Sequence, residues 1–355
     1  MKHVIKFLTF SLLFACVLTS CSSDDDNFIE TPTTLGEYDN GILVSAEGGS
    51  AQTGSVSYIS NAYSTIENTI FSNTNAEDLG TYVQSVGFNG ATAYIIVDNN
   101  NIHVVNRYTF LKEATITTGL NLPRFMVFSN GKGYVTNWGD GFDTTDDFVA
   151  VVNLETNSVE STIPMAEGPE QMVVYANKLY VSHKGGYNTN NIISVVDLET
   201  NVVSNIVVND VPDEMIVNNA RELIVLCEGN PSWTGNETEG SITKIDLSTD
   251  TVSDTFTFAD GVHPSLMSYS NGNLYFTANN AVYKMADFET TLPTTPIINL
   301  GSITTYGMAV KADKLYVTDA KDYNSLGDFL VYDLNSNIKI HTFEVGLVPS
   351  KIYFN

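Results

Sequence analysis

Both tryptophans of the chain, Trp138 and Trp233, stand in polar, glycine-bearing stretches between apolar runs, among residues with the chemistry to hold a ligand. Trp138 is followed by Asp140, Phe142 and Asp143, and Trp233 is preceded by Glu228 and Asn230. Two further stretches have the same make-up: His183, Lys184, Tyr187 and Asn188, then Asp319, Lys321, Asp322, Tyr323 and Asn324. Their rings offer flat apolar faces, and the carboxylates, amides and ammonium groups beside them supply directed hydrogen bonds. Signals for bond-making chemistry are weaker. Asp140, Asp143, Asp146 and Asp147 carry oxygen ligands, but their spacing misses the calcium-loop patterns and suits a solvated acidic loop better. His183 or His263 with a nearby Glu could act as acid and base, yet no spacing compels the pairing. There is no Gly-x-Ser-x-Gly elbow, phosphate loop or zinc motif, so a non-enzymatic protein without a cofactor is expected.

The elements that must position these residues come from a repeat. Gly168 to Ile206 holds one full copy: G-P-E-Q-M-V-V-Y, then A-N-K-L-Y-V-S-H-K-G-G, N-I-I-S-V-V-D-L-E-T-N and V-V-S-N-I-V-V. Each apolar run has the length of one strand, and each break carries the Asn, Gly, Asp or Lys that turns favour. The Pro-Met segment recurs as N-L-P-R-F-M-V-F, V-P-D-E-M-I-V, V-H-P-S-L-M-S-Y and T-T-Y-G-M-A-V, and as L-V-P-S-K-I-Y-F from Leu347 to Phe354. A period of about 40 to 50 residues falls in the range of propeller blades. The spacing therefore predicts an all-β, seven-bladed propeller with four-stranded antiparallel blades. Units begin near Asn40, Gly80, Leu120, Gly168, Val211, Val262 and Thr304. The first offers only Gly41 to Ser45, Gly54 to Ser60 and Thr65 to Phe71, and the surplus Leu347 to Phe354 supplies its missing inner strand. An open β-solenoid accounts less well for these two orphan pieces.

With the Pro-Met strand innermost, connections into it share one face with the long loops that follow the second strand. That face gathers the tryptophan-bearing stretches. At the channel mouth it adds Arg124, Glu170, Gln171, Asp213, Glu214, His263, Ser265, Tyr306 and Lys351. The opposite face has only short structural turns. The tyrosine repeated in the second strand (Tyr134, Tyr180, Tyr275, Tyr316) keeps step with the fold and reads as packing between blades, and His103 and His341 read as structural.

Residues 1–20 have a basic start, an apolar core and a small-residue approach to Cys21, which reads as a secretory signal too short to span a membrane. Residues 21–37 form a polar tether, and 38–355 a single propeller. Cys227 has no disulfide partner, so the exported domain must rest on its apolar core. A net charge of −25 disfavours nucleic acid and anionic membrane surfaces as partners.

Leu18-Thr19-Ser20-Cys21 resembles a bacterial lipobox, in which Cys21 is acylated, and Ser22-Ser23-Asp24-Asp25-Asp26 resembles the acidic export tag of Bacteroidota surface lipoproteins. The K-L-Y-V-S/T strand followed by V-V-D/N-L-E-T-N resembles the YVTN-type, YncE-like seven-bladed propellers from Asn40 to Asn355. Together these features are similar to the propeller lipoproteins that capture cobamides and pass them to a TonB-dependent transporter. The resemblance implies an outer-membrane anchor facing outward and ligand binding on the loop face, with a corrinoid as the favoured ligand. Docking of a protein or glycan is the alternative, followed by an exported lyase or lactonase.

Overall fold

The computed structural model describes residues 34–50 and 52–355. The signal, lipobox and acidic tag, Cys21 included, lie outside the described residues. Among the described residues the chain forms seven four-stranded antiparallel sheets, and the innermost strands of successive sheets pack against one another around an axial channel. This is the expected propeller. In the fourth blade the strands run Pro169–Tyr175, Lys178–His183, Ile192–Asp197 and Val203–Val207. We call these positions a to d from the channel outwards.

The ring closes as the two orphan pieces require. Pro349–Phe354 forms strand a of the first blade and pairs antiparallel with Gly41–Ala46, placing Ile42 opposite Phe354 and Ala46 opposite Pro349. Arg107 of the second blade clamps this end: Nη2 donates to the Phe354 carbonyl at 2.8 Å and Nε to Asn355 Oδ1 at 2.6 Å. The Asn355 amide reaches the Tyr38 carbonyl at 2.7 Å. Closure also needs Gly307, because a Cβ there would stand 1.9 Å from the Ser350 carbonyl oxygen of the neighbouring inner strand.

One expectation fails in the first blade. The stretch Thr65 to Phe71 is not a strand: pairing covers only Ile66–Glu67, and a single helical turn, Ile70–Asn75, follows. Asn73 provides the reason, since its amide donates to the Asn68 carbonyl and the Glu67 carboxylate and ties the chain into a turn. That turn buries both Ile70 and Phe71 against the first two blades, whereas a strand would alternate them.

Strand a carries the feature that builds the channel. In blades 3, 4 and 5 the register slips between the proline and the methionine three residues on (Pro123/Met126, Pro169/Met172, Pro212/Met215). Such a bulge releases the two residues after the proline from the ladder. In blades 3 and 4 the Ser or Thr of the repeated second strand takes up the freed N–H, and blade 6 makes the same contact, whereas blade 5 has Leu226 at that place. Phe125 donates to Thr136 Oγ1, Gln171 to Ser182 Oγ and Leu266 to Thr277 Oγ1, each at 3.1 Å. The hydroxyl in the repeat thus anchors the bulge. The tyrosine one turn of the pleat away packs between blades as expected: Tyr134, Tyr180, Tyr275 and Tyr316 all lie in clusters shared with the next blade. The short c-to-d turns also repeat, with Asn106, Asn153, Asp197 and Asp333 each accepting N–H bonds from residues two and three further on.

Candidate functional site

The bulged strands line the channel mouth with a ring of residues. Those immediately after the proline, or after its equivalent, are Gln84, Arg124, Glu170, Asp213, Ser265, Tyr306 and Ser350, and all seven border a chamber of roughly 200 Å3. A second register adds the first residue after strand b: Glu47, Lys184 and Glu228 enter the same chamber. Phe125, Glu214, Leu266 and Lys351 form its floor, which also bounds a lower chamber of roughly 250 Å3 lined by Met126, Met308, Ile352 and Tyr353.

Charge in the upper chamber is dense and mostly paired. Arg124 forks onto Glu170, with Nη2 at 2.8 Å and Nε at 3.1 Å from the carboxylate. Lys184 bridges Asp213 at 2.7 Å and Glu228 at 3.0 Å, while Lys351 meets Glu214 at 3.2 Å from across the ring. Burial alone would lower the three cations' pKa values, but the facing carboxylates more than offset it and hold all three above their ordinary values. Burial opposes ionisation of Asp213 as well, yet Lys184 and Lys351 hold it below its usual value. The two carboxyls pushed upward, by burial above all, are Glu47 and Glu228. Burial likewise raises the Tyr306 hydroxyl, and the charge of Glu47 adds to it.

Beside this chamber stands an aromatic ledge. Trp138 lies half-buried with the Arg124 guanidinium 3.9 Å from its ring centre, and its Nε1 donates to the Pro169 carbonyl at 3.1 Å. Tyr187 meets it edge-on at 5.9 Å, and Phe142 stacks on Tyr187 at 5.6 Å. Phe142 is 92% exposed and Tyr187 62%, so this ledge is open to solvent. On the seventh blade Tyr323, half-exposed, meets Tyr306 edge-on at 5.8 Å, linking that loop to the channel. Trp233 sits on a short 3-10 turn of the fifth-blade loop and is 79% exposed.

The structure thus sorts the expected residues into three groups. Arg124, Glu170, Lys184, Asp213, Glu214, Glu228, Ser265, Tyr306 and Lys351 come together in the upper chamber, and Gln171 borders the lower one. Trp138, Phe142, Tyr187, Trp233 and Tyr323 stand on the rim loops. The remainder secure those loops. His183 is a correction: it is fully buried, with Nδ1 3.1 Å from the Glu167 carbonyl and Nε2 2.8 Å from Ser194 Oγ. Desolvation drops its pKa to about 4. Asn230 and Asp319 are also buried, not presented to a ligand. The Asn230 amide donates to Asp210, and Asp319 accepts the Thr304 and Lys321 N–H groups. Asp140 accepts the Phe142 N–H, Asn188 donates to Glu167 at 2.5 Å, and Lys321 pairs with Asp328 at 2.9 Å. Asn324 folds back onto Asp322. His263 pairs with Glu237 at 3.2 Å, outside the chamber and apart from His183.

Sequence reasoning missed Glu47, Gln84 and Ser350. Their signal was positional: each aligns with a channel-facing register of another blade, but Glu47 lies in a unit whose own inner strand is some 300 residues away. Among the described residues no group of three or more His, Cys, Asp or Glu is placed to hold a metal, and no helix is long and apolar enough to cross a membrane. Cys227 is buried, with its thiol pushed up to about 12 by desolvation, which disfavours the nucleophilic thiolate.

Comparison with solved structures bears on the fold. The chain is similar to Kuenenia stuttgartiensis hydrazine synthase (15% identity, 76% of this chain and 88% of that one, TM-score 0.55). It is similar also to the dihydro-heme d1 dehydrogenase NirN in complex with DHE (11%, 91% and 76%, TM-score 0.56) and to apo AztD from Citrobacter koseri (13%, 89% and 86%, TM-score 0.54). At these identities the likeness is one of architecture, and propellers serve unrelated activities. No curated protein sequence matches the chain. The family model described as a domain of unknown function, DUF5074, matches residues 40–317, well over half of the sequence, and the chain belongs to that family.

Proposed function

We propose that the protein is a non-enzymatic capture protein that holds a large, flat-faced, polar-edged ligand on its loop rim, with a corrinoid as the ligand. The observation carrying this reading is the solvent-open ledge of Phe142 and Tyr187 over Trp138, beside a mouth crowded with hydrogen-bonding groups. A ring system would rest on the ledge, and its amide fringe would meet the polar side chains of the surrounding rim loops. Rigid propeller loops keep the ordering cost of such binding low. The lipobox-like sequence at Cys21 and the acidic residues after it support lipid anchoring at the outer membrane and delivery to a TonB-dependent transporter. Trp233, exposed and away from that ledge, favours a second reading in which the same face docks a protein or glycan.

Calorimetry of the chain from residue 35 onwards with cobinamide and cobalamin tests the first reading. Micromolar binding that weakens at least tenfold in Tyr187→Ala is the expected result. Absence of heat from both corrinoids, with capture of envelope protein or glycan lost in Trp233→Ala, would transfer the function to the second reading.

A further inference from the structure

The upper chamber has an imbalance that the rim does not explain. Five carboxylates (Glu47, Glu170, Asp213, Glu214, Glu228) face three cations there, and the pairing leaves their needs unequal. Glu170 and Glu214 each hold a cation of their own, and Asp213 and Glu228 share Lys184. Among the described residues no Lys, Arg or His lies within ion-pair distance of Glu47, and the neutral Tyr306 borders the chamber with it. Gln84 borders the same space and is only 8% exposed. Its amide nitrogen is spent on the Tyr82 carbonyl at 3.3 Å, and its carbonyl oxygen has no donor among the described residues. An amide oxygen without a protein donor and a carboxylate without a cationic partner therefore border one water-sized-to-small-molecule space in a chamber short of positive charge. Acceptors that line such a space take their donors from water or from a ligand.

We propose that the upper chamber is a binding site for the primary ammonium group of a small alkyl amine, held by the Glu47 carboxylate and the Gln84 carbonyl oxygen. An ammonium has three donors and no acceptor, which matches two bare acceptors and the Tyr306 oxygen beside them. The volume suits this: at about 30 Å3 per water the chamber has room for some six or seven waters, or for a short aliphatic amine. A divalent metal is the poorer fit, because the carboxylates do not converge in threes. The upward displacement of Glu47 and Glu228 accords with a site that lacks its counter-charge.

The site is separate from the rim reading and is tested without corrinoid. In calorimetry of the chain from residue 35 onwards, 1,4-diaminobutane should bind one to one, and 1,4-butanediol of the same length should not. Glu47→Gln and Gln84→Leu should each weaken diaminobutane at least tenfold, while Glu199→Gln on the opposite face leaves it unchanged. Equal heat from the diol, no heat from the diamine, or diamine heat that survives both substitutions would overturn the proposal. The last result would mark only the counter-ion atmosphere of an acidic surface. Should Glu47→Gln fail to fold, Gln84→Leu decides alone.

Discussion

The anchoring hydroxyl of strand b can be tested at two positions where the repeat places the same residue in different surroundings. Thr136, fully buried, accepts the Phe125 N–H at 3.1 Å and donates to the Glu170 carbonyl at 2.8 Å. Thr318 occupies the equivalent place in the seventh blade, also fully buried, but its hydroxyl has no hydrogen-bond partner. Replacing Thr136 with Val keeps the shape and removes both bonds. Each of the two buried groups left without a partner costs about 1–3 kcal/mol, and the added methyl returns up to about 1 kcal/mol, so a net loss of roughly 1–6 kcal/mol is expected. Thr318→Val removes a group already unsatisfied and should be neutral or stabilise by up to about 1 kcal/mol. Equilibrium urea unfolding followed by tryptophan fluorescence, checked for coincidence with circular dichroism, measures both. A fall in stability of Thr318→Val equal to that of Thr136→Val would refute the account of the repeat given above.

Two further predictions concern pH. Burial holds the folded-state pKa of His183 at about 4, below the 6.5 of the unfolded chain, so the unfolded state binds the proton first. Stability from this residue is complete above pH 6.5 and falls by about 3 kcal/mol on acidification toward pH 4. An imidazole resonance of His183 titrating near 6.5 would contradict this. Asp147 behaves oppositely, because burial, then Asp146 and Glu167, raise its folded-state pKa to about 7. Its contribution is fully present below the unfolded value of 3.8 and is lost as pH rises through about 7. Asp147→Asn keeps an acceptor for the Gly168 N–H, so it should flatten the decline in stability between pH 4 and 7.5; parallel curves for variant and parent would rule the effect out.

The fold was legible because its signals are local and repeated: Pro at the start of strand a, the aromatic and hydroxyl of strand b, and the Asx turn between c and d. The failure at Thr65 to Phe71 came from a side chain, since Asn73 turns a stretch that composition alone leaves open to either state. The site was legible in outline. Loop position marked Phe142, Tyr187, Trp233 and Tyr323 correctly as exposed rim residues. It misjudged His183, Asn230 and Asp319, since a polar residue beside a loop can face inward to satisfy the loop's backbone as readily as outward. Lys184 was placed on a loop face but points into the channel, because the residue after strand b follows the inner register and not the loop. Only alignment of registers between blades separates these outcomes, and Glu47 escaped it by belonging to a blade assembled from distant segments.

The seam between Gly41–Ala46 and Pro349–Phe354 also has a mechanical side. Its antiparallel register puts residue 41 and residue 355 at the same end of the ladder. Tension between those residues would peel the rungs in succession, the weak loading mode, instead of shearing them together. The Arg107 fork and the Asn355 amide grip the rung where peeling must begin. Reinforcement anywhere else along that ladder would do little against a pull, so the toughness of the whole ring under load is concentrated in two side chains.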